Sequence, residues 1–286
     1  MKKRGFDWGQ LIAKVVVLMY LIAIIFPFAW ILGMSLKTPI DVMAMPPKFV
    51  FTPTLENYQR LLIGAEWSKQ EVVRTDFVEG LKNSLIVGGG ATLLSLVTAT
   101  LAAYALARFR WAGSDAMAFT VLSFRFSPGL GTLLPMYAIY RRIGLYNTHI
   151  GLILVMQMIS LPLLVWVVRS YIESIPADLE QAALVDGYSW WGAFRKILLP
   201  LISPGIAATS VMSFIYCWND FQFGLLVGGR STHTLTMQTL GMISYEQVLW
   251  GQMAAAAVVA VIPGVILTLL VQKWVVRGLT FGAVKV

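Results

Sequence analysis

Residues 247–272, QVLWGQMAAAAVVAVIPGVILTLLVQ, contain no Asp, Glu, Lys or Arg. A second stretch, residues 116–140, has Arg125 as its single charged residue. Because a helix needs about 20 mostly apolar residues to cross a membrane, each stretch predicts one transmembrane helix. The same charge-free pattern occurs in residues 15–36, 83–107, 143–168 and 197–219.

The composition supports this interpretation. Of the 286 residues, 58% are hydrophobic and 13% are charged, and the mean hydropathy of +0.73 is too high for a soluble globular domain. Unbroken apolar runs also exclude a transmembrane barrel, whose strands alternate apolar and polar residues. We therefore expect an all-α integral membrane protein, one domain over residues 1–286 with six spans. The expected spans are approximately 12–36, 83–107, 116–140, 148–169, 200–220 and 250–273.

Charge bias predicts the orientation. The basic N-terminus precedes an apolar stretch that is too long for a signal peptide, so we expect an uncleaved first span. With both termini in the cytoplasm, twelve Lys and Arg lie inside and nine outside, and six of those nine fall in one long loop where acidic residues are mixed with them. This mild excess favours cytoplasmic termini. Long external loops then cover residues 37–82 and 221–249.

The inner segment 174–200 is the most structured polar region. Pro176 stands near a helix start, acidic residues follow in the first turn, and Gly187 suits a left-handed helix end. Ser189 can cap a second helix that runs to Pro200. The segment predicts two helices that meet at a glycine elbow, and the second has an aromatic face suited to a groove in another protein.

Here the sequence resembles the permease subunit of type I ATP-binding-cassette (ABC) importers. The family signature is Glu-Ala-Ala-x-x-x-Gly, nine residues, then Ile-x-Leu-Pro. This chain has Gln181, Ala182, Ala183, Gly187 and, after nine residues, ILLP at 197–200. The acidic first position is Gln181, so a charge contact from it to the ATPase is either weakened or supplied by the adjacent Glu180.

The resemblance covers nearly the whole chain and points to the shorter, six-span permease of the maltose-type carbohydrate group. In such importers the C-terminal tail can reach between the ATPase subunits, which implicates Gly282 and Lys285, although the usual terminal Gly is Val286 here. The supporting segments are 102–109 (AAYALARF), 134–137 (LPMY), 143–148 (IGLYNT), 218–220 (WND) and the tail 278–286.

The resemblance implies half of a membrane pathway for a sugar, oligosaccharide or polyol in the bacterial inner membrane. It implies four partners: a second permease, two ABC ATPase subunits and an external solute-binding protein, which we expect the outer segment 226–250 to contact. No nucleic acid is expected, and ATP and Mg²⁺ belong to the ATPase subunits. The residues implied to couple to the ATPase are Glu180, Gln181, Ala182, Ala183, Asp186, Gly187, Trp190, Phe194 and Arg195.

No motif points to an enzyme. The chain has no P-loop, no His-Glu-x-x-His and no Gly-x-Ser-x-Gly, and its two histidines, His149 and His233, fall in or beside outer connections. Cys217 has no partner for a disulfide or thiolate site, so no metal site is expected. A stand-alone carrier would need membrane-embedded acidic residues for ion coupling, which the six stretches lack. The alternatives left open are a permease for a non-carbohydrate solute, a carrier and a membrane enzyme.

Arg125 lies inside a predicted span, where a cation costs at least about 2.5 kcal/mol and normally faces a wet cavity or a polar partner. We expect it either to line the solute path or to pair with a carbonyl or a partner subunit's acid. A path that touches Arg125, Trp218 and Asn219 would offer a sugar hydrogen bonds and an indole face.

Overall fold

The structure, a computed structural model, describes residues 8–63, 76–109, 111–126, 129–242 and 248–283. This part of the chain is helical and contains no β-strand, which confirms the predicted all-α class. The helices are α1 (Trp8–Ser35), α2 (Pro39–Val42), α3 (Glu56–Ile63), α4 (Phe77–Arg108), α5 (Ser114–Ser123), α6 (Gly129–Arg142), α7 (His149–Glu173), α8 (Asp178–Val185), α9 (Trp190–Ala193), α10 (Leu199–Leu201), α11 (Ser203–Trp218), α12 (Gln222–Val227), α13 (Leu235–Leu240) and α14 (Trp250–Ala283).

Four helices within the described residues are long and apolar enough to cross a membrane: α1, α4, α7 and the Trp250–Trp274 part of α14. Two broken pairs raise the number to six if each pair is one span. One pair is α5 with α6, on either side of residues 127–128. These two residues, Pro128 among them, lie outside the described residues. The other joins Trp190–Leu201 to α11 with a bend of 73°. Only if both broken pairs are single spans does the number equal the six predicted.

The chain divides into two compact units. One contains Met1–Thr75 and Gly241–Val261, and the other contains Asp76–Leu240 and Ile262–Val286. Within the first unit the buried Asn57 side chain joins α3 to the end of α1, because its Nδ2 donates hydrogen bonds to the carbonyl oxygens of Ser35 (2.9 Å) and Lys37 (2.8 Å). Such bonds satisfy carbonyls that a helix end leaves without partners.

The second unit is built on the pairing of α4 with α7. Ala91, Ser95, Ala99 and Ala103 recur every four residues along α4 and are fully buried, so they form a stripe of small side chains. Small residues allow two membrane helices to approach closely. The Ser95 hydroxyl meets the Ser160 hydroxyl of α7 at 2.7 Å in this interface. Helix α11 packs against both α4 and α7, and these three helices position the candidate sites.

Candidate functional site

The predicted two-helix segment is present between α7 and α11. Helix α8 starts at Asp178 and ends before Gly187, whose φ of +89° is a backbone conformation that favours glycine. The Ser189 hydroxyl then accepts a hydrogen bond from the Gly192 amide (3.1 Å) and caps α9, which continues as one π-turn over Phe194–Leu198. The elbow and the cap therefore occur where the sequence predicted them.

A buried ion pair attaches this segment to α4. Glu180 is 2% exposed; its Oε1 accepts a hydrogen bond from Arg108 Nε at 2.6 Å, and its Oε2 accepts one from the Tyr104 hydroxyl at 3.0 Å. Arg108 also donates a hydrogen bond to the carbonyl oxygen of Ile175 at 3.0 Å, just before α8. Because these bonds join the end of α4 both to α8 and to the residue before it, they fix the position of α8 relative to α4.

Apolar packing attaches the second helix of the segment. Phe194 and Leu198 are buried in a cluster with Tyr104, Val168 and Ile172, which come from α4 and α7. The rings of Phe194 and Tyr104 have their centroids 4.8 Å apart. The segment is thus a fixed part of this unit, held at both of its helices.

The outer face of the segment is exposed and largely apolar. Val185 is 88% exposed, and Trp190 and Trp191 are about half exposed at the start of α9. Large exposed apolar patches mark interaction surfaces in proteins. Other exposed side chains of the segment include Leu179, Gln181, Ala182, Asp186 and Arg195.

The structure divides the residues that the sequence grouped as ATPase-coupling. Ala183 and Phe194 are buried, so they support the segment from inside. Glu180 requires a correction, because the suggestion that it supplies an external charge contact in place of Gln181 does not fit a carboxylate whose two oxygens bind Arg108 and Tyr104. Gln181, which is exposed, is the residue of this pair that can meet a partner.

Arg125 lies in a short 3₁₀ turn, Phe124–Phe126, that follows α5. Its guanidinium carbon stands 4.5 Å from the ring centroid of Tyr216 on α11. Both residues line a cavity of about 300 Å³ whose other lining residues come from α7 and α11. Arg125 thus lies beside a cavity within the described residues, and its expected place on the solute path, or its pairing with a partner subunit, stays a prediction.

Trp218 and Asn219 do not line this cavity, so the structure does not bring the three residues of the predicted path together around it. Trp218 is 8% exposed and stacks on Phe214 with 5.3 Å between ring centroids, close to Gly88 of α4. Asn219 ends α11 and donates a hydrogen bond from Nδ2 to the carbonyl oxygen of Ile215 (2.8 Å). Tyr216 and Trp218 are two positions apart, about 200° around the helix, so they face opposite sides.

Comparisons with known proteins identify the family. Residues 89–281 match the family model of the binding-protein-dependent transport system inner membrane component. The chain belongs to this family. It is therefore a multi-pass transport component of the inner membrane, and not an enzyme.

Relatives at full length resemble this permease. It is 32% identical to the trehalose/maltose transport system permease protein MalG of Thermococcus litoralis, with 91% of each chain covered. It is 33% identical to the sulfoquinovosyl glycerol transport system permease protein SmoH of Agrobacterium fabrum, covering 91% of this chain and 89% of the relative. A crystal structure of a bacterial ABC transporter involved in import of the acidic polysaccharide alginate matches with a TM-score of 0.74 at 20% identity, covering 95% of this chain and 99% of that one, which shows a shared fold.

A hydrogen-bond network that sequence reasoning missed joins the start of α4 to the start of α7 and to residues 231–233. Asn83 Nδ2 donates hydrogen bonds to the carbonyl oxygens of Ser231 (3.3 Å) and His233 (3.0 Å), and Asn83 Oδ1 lies 2.8 Å from His149 Nε2. Since the Asn83 amide group faces carbonyls, its oxygen is the acceptor and the His149 ring donates. Single polar residues near a span end carry no sequence pattern that could have predicted these contacts.

Part of the C-terminal tail lies within the described residues. Gly282 lies in the last turn of α14, which ends at Ala283. Lys285 lies outside the described residues, so its expected contact with the ATPase stays a prediction. Among the described residues, no group of three or more His, Cys, Asp or Glu side chains could hold a metal ion.

Proposed function

We propose that this permease forms half of the membrane pathway of an ABC importer for a carbohydrate. The family membership and the trehalose, maltose and sulfoquinovosyl glycerol systems among the relatives support a sugar or sugar derivative as the solute. The observation that carries the proposal is the two-helix segment 178–198, which is fixed to α4 and α7 inside and presents exposed aromatic residues outside.

The proposed complex contains a second, homologous permease, two ABC ATPase subunits and an external solute-binding protein. ATP and Mg²⁺ are bound by the ATPase subunits, because this chain has no P-loop. A solved alginate ABC transporter in complex with a periplasmic protein that carries an alginate pentasaccharide supports a binding-protein partner. The outer segment 226–250 is the part of this chain proposed to meet that partner.

The proposed orientation has both termini and the segment 178–198 in the cytoplasm. The excess of Lys and Arg on that side supports it. The exposed face with Val185, Trp190 and Trp191 then meets a groove of an ATPase subunit.

Motion of the ATPase reaches the membrane through fixed contacts. When ATP draws the ATPase subunits together, the segment moves as one body, because the Arg108–Glu180 pair and the Phe194 cluster hold it to α4 and α7. The ends of these spans move with it. Alternating access between the two permeases follows from such rigid motion.

Capture of partners tests the proposal. A tagged chain expressed with its genomic neighbours should copurify with a P-loop ATPase, and solute-loaded binding protein should stimulate ATP hydrolysis. Val185→Asp and Trp191→Ala should lower ATPase capture, since both side chains are exposed in the proposed contact face. Met45→Ala, a 96% exposed control in the outer loop, should not.

The same experiment separates the alternatives. Solute uptake by the purified chain alone would indicate a stand-alone carrier, and chemical turnover of a solute without transport would indicate a membrane enzyme; either result would overturn the proposal. An assembled importer stimulated by an amino acid or an ion, and by no carbohydrate, would support a permease for another solute class.

A further inference from the structure

Three arginines on the proposed outer side differ from the other cations there. Of the nine outer Lys and Arg, six lie in the long first loop among acidic residues, and the other three are Arg141, Arg142 and Arg230. No Asp or Glu occurs in residues 116–172 or 221–245, which contain these arginines. All three are exposed, and none forms an ion pair with a described residue. Because cations on that side oppose the charge bias that orients membrane proteins, topology does not explain them.

Arg141 is held against two tyrosine rings at the end of α6. Its guanidinium carbon lies 5.4 Å from the ring centroid of Tyr137 and 4.8 Å from that of Tyr146, and its Nε donates a hydrogen bond to the Tyr137 hydroxyl at 3.1 Å. The two rings meet edge to face, with 5.5 Å between their centroids. Aromatic faces hold a guanidinium without using its terminal N–H groups, which therefore stay free to bind an anion.

The turn after α6 is joined to the loop that carries Arg230. The backbone N–H of Asn147 donates a hydrogen bond to the carbonyl oxygen of Val227 (2.9 Å), and the Asn147 Oδ1 accepts one from the Ser231 hydroxyl (2.8 Å). Asn147 follows Tyr146 directly, and Ser231 follows Arg230. The backbone of both connections is thus set before a partner arrives, which lowers the entropy cost of binding.

We infer that this outer arginine–tyrosine surface docks an acidic patch of the solute-binding protein. Its residues are Tyr137, Arg141, Arg142, Tyr146 and Arg230. The inference rests on the proposed function, and it adds the α6–α7 turn and the charge of the partner to the proposed contact. Arg and Tyr are enriched among the residues that supply most of the binding energy of an interface, and Arg binds a carboxylate through two parallel hydrogen bonds. Unpaired cations also attract an acidic partner from a distance, which raises its association rate.

Association kinetics of the assembled transporter test the inference. The complex is placed in nanodiscs of phosphatidylcholine, which carries no net charge, and the probe is the solute-loaded binding protein encoded beside this chain. Its association rate is measured at about 10 mM and about 150 mM salt, where the screening length is about 30 Å and about 8 Å. Copurification of the ATPase shows that each variant assembles.

We expect Arg141→Gln to lower the association rate at least about threefold at the lower salt concentration, and less at the higher one, because salt screens the attraction. Arg141→Lys should keep most of the rate, since a cation can still lie over the two rings. Arg60→Gln is the matched control: it removes one charge from the proposed outer side, but one that Glu56 already pairs, and it should leave the rate unchanged. If Arg141→Gln fails to assemble, Arg230→Gln in the exposed loop should show the loss.

Three results would overturn the inference: an association rate that does not depend on salt, equal rates for Arg141→Gln and Arg60→Gln, or an effect of Arg141→Gln that appears only when phosphatidylglycerol is added to the nanodiscs. The last result would mean that the arginines bind lipid headgroups. In each case the binding protein still associates, so the proposed importer stands. If the binding protein does not associate with the wild-type complex at all, the proposed function itself is contradicted, and the inference with it.

Discussion

The Arg108 guanidinium and the Glu180 carboxylate form an ion pair of 2.6 Å at the junction of α4 and α8, with side chains 9% and 2% exposed. Arg108 closes the second span of the sequence, and Glu180 lies one residue before the Gln-Ala-Ala of the signature. Covalently these residues are 72 positions apart. The pair therefore links a membrane helix directly to the segment proposed to meet the ATPase, so that movement of one displaces the other.

Removing one member of this pair should destabilise the permease. Glu180→Leu leaves Arg108 charged and nearly buried, which typically costs about 3–5 kcal/mol. The double variant Arg108→Met with Glu180→Leu should recover part of this loss. Thermal unfolding of the assembled transporter measures both. The Arg60–Glu56 pair, whose side chains are about one third exposed, is a control, and Glu56→Gln should change stability by less than about 1 kcal/mol. Equal effects at the two pairs would contradict this account.

The sequence predicted the elbow well because its signals are local. A proline before α8, a glycine after it and a serine cap each act within one helical turn, so spacing alone locates them. The burial of the Glu180 side chain could not be predicted from such local signals. Its neighbours Asp178 and Gln181 look equally polar in the sequence, and only packing against Arg108 and Tyr104 from a distant helix selects Glu180 for burial.

Substitution of Gly187 should uncouple ATP hydrolysis from transport. Its φ of +89° is unfavourable for residues with a side chain, while a Cβ there would have open space around it, so strain in the backbone is the sole obstacle. Gly187→Val should therefore displace α9, giving an assembled complex whose ATPase no longer responds to binding protein. Gly187→Asn, which tolerates positive φ better, should retain most of the response. Normal stimulated hydrolysis in Gly187→Val would refute the role of the elbow.

The contact of α11 with α7 should not tolerate a side chain at Gly205. A Cβ at this position would lie 2.4 Å from Cγ of Tyr171, the base of the ring, which cannot move without its backbone. Gly205→Ala should thus lower stability by roughly 1–3 kcal/mol. Gly89→Ala, in α4 with nothing within 4 Å, should stay near wild type and slightly raise helix propensity. The melting temperatures of the purified complexes with Gly205→Ala and with Gly89→Ala measure this difference. Similar melting temperatures would show that the Tyr171 ring can move aside without loss of stability.

The cavity beside Arg125 shows that the sequence alone does not tell which residues of different spans face one another. The sequence suggested that Arg125 and Trp218 line one path because together they could offer a sugar hydrogen bonds and an indole face. Helical geometry separates them, since Tyr216 faces Arg125 and Trp218 turns toward Gly88. The rotation of α11 about its own axis decides which side chains face α4 and α7. A helix with apolar residues on every side carries no sequence signal for this rotation.

Loss of the Asn83 side chain should loosen the segment 228–235, which we propose lies on the outer side. Asn83 holds the carbonyl oxygens of Ser231 and His233, and the neighbouring Ser84 hydroxyl accepts a hydrogen bond from the Leu235 amide at 2.7 Å. Asn83→Leu leaves those two carbonyls and the His149 ring, which are part-buried or exposed, without their partner, and each lost hydrogen bond costs about 0.5–1.5 kcal/mol. We expect amide hydrogen exchange in this segment to rise at least about tenfold, because each 1.4 kcal/mol changes an equilibrium constant tenfold.

Delivery of solute by the binding protein should fall in the same variant, since a disordered outer segment must be reordered on docking. Lys82→Gln, at an exposed position one residue earlier, is the matched control and should leave both exchange and delivery unchanged. Faster exchange with normal delivery would mean that the binding protein docks elsewhere, and unchanged exchange would mean that Asn83 does not hold the segment.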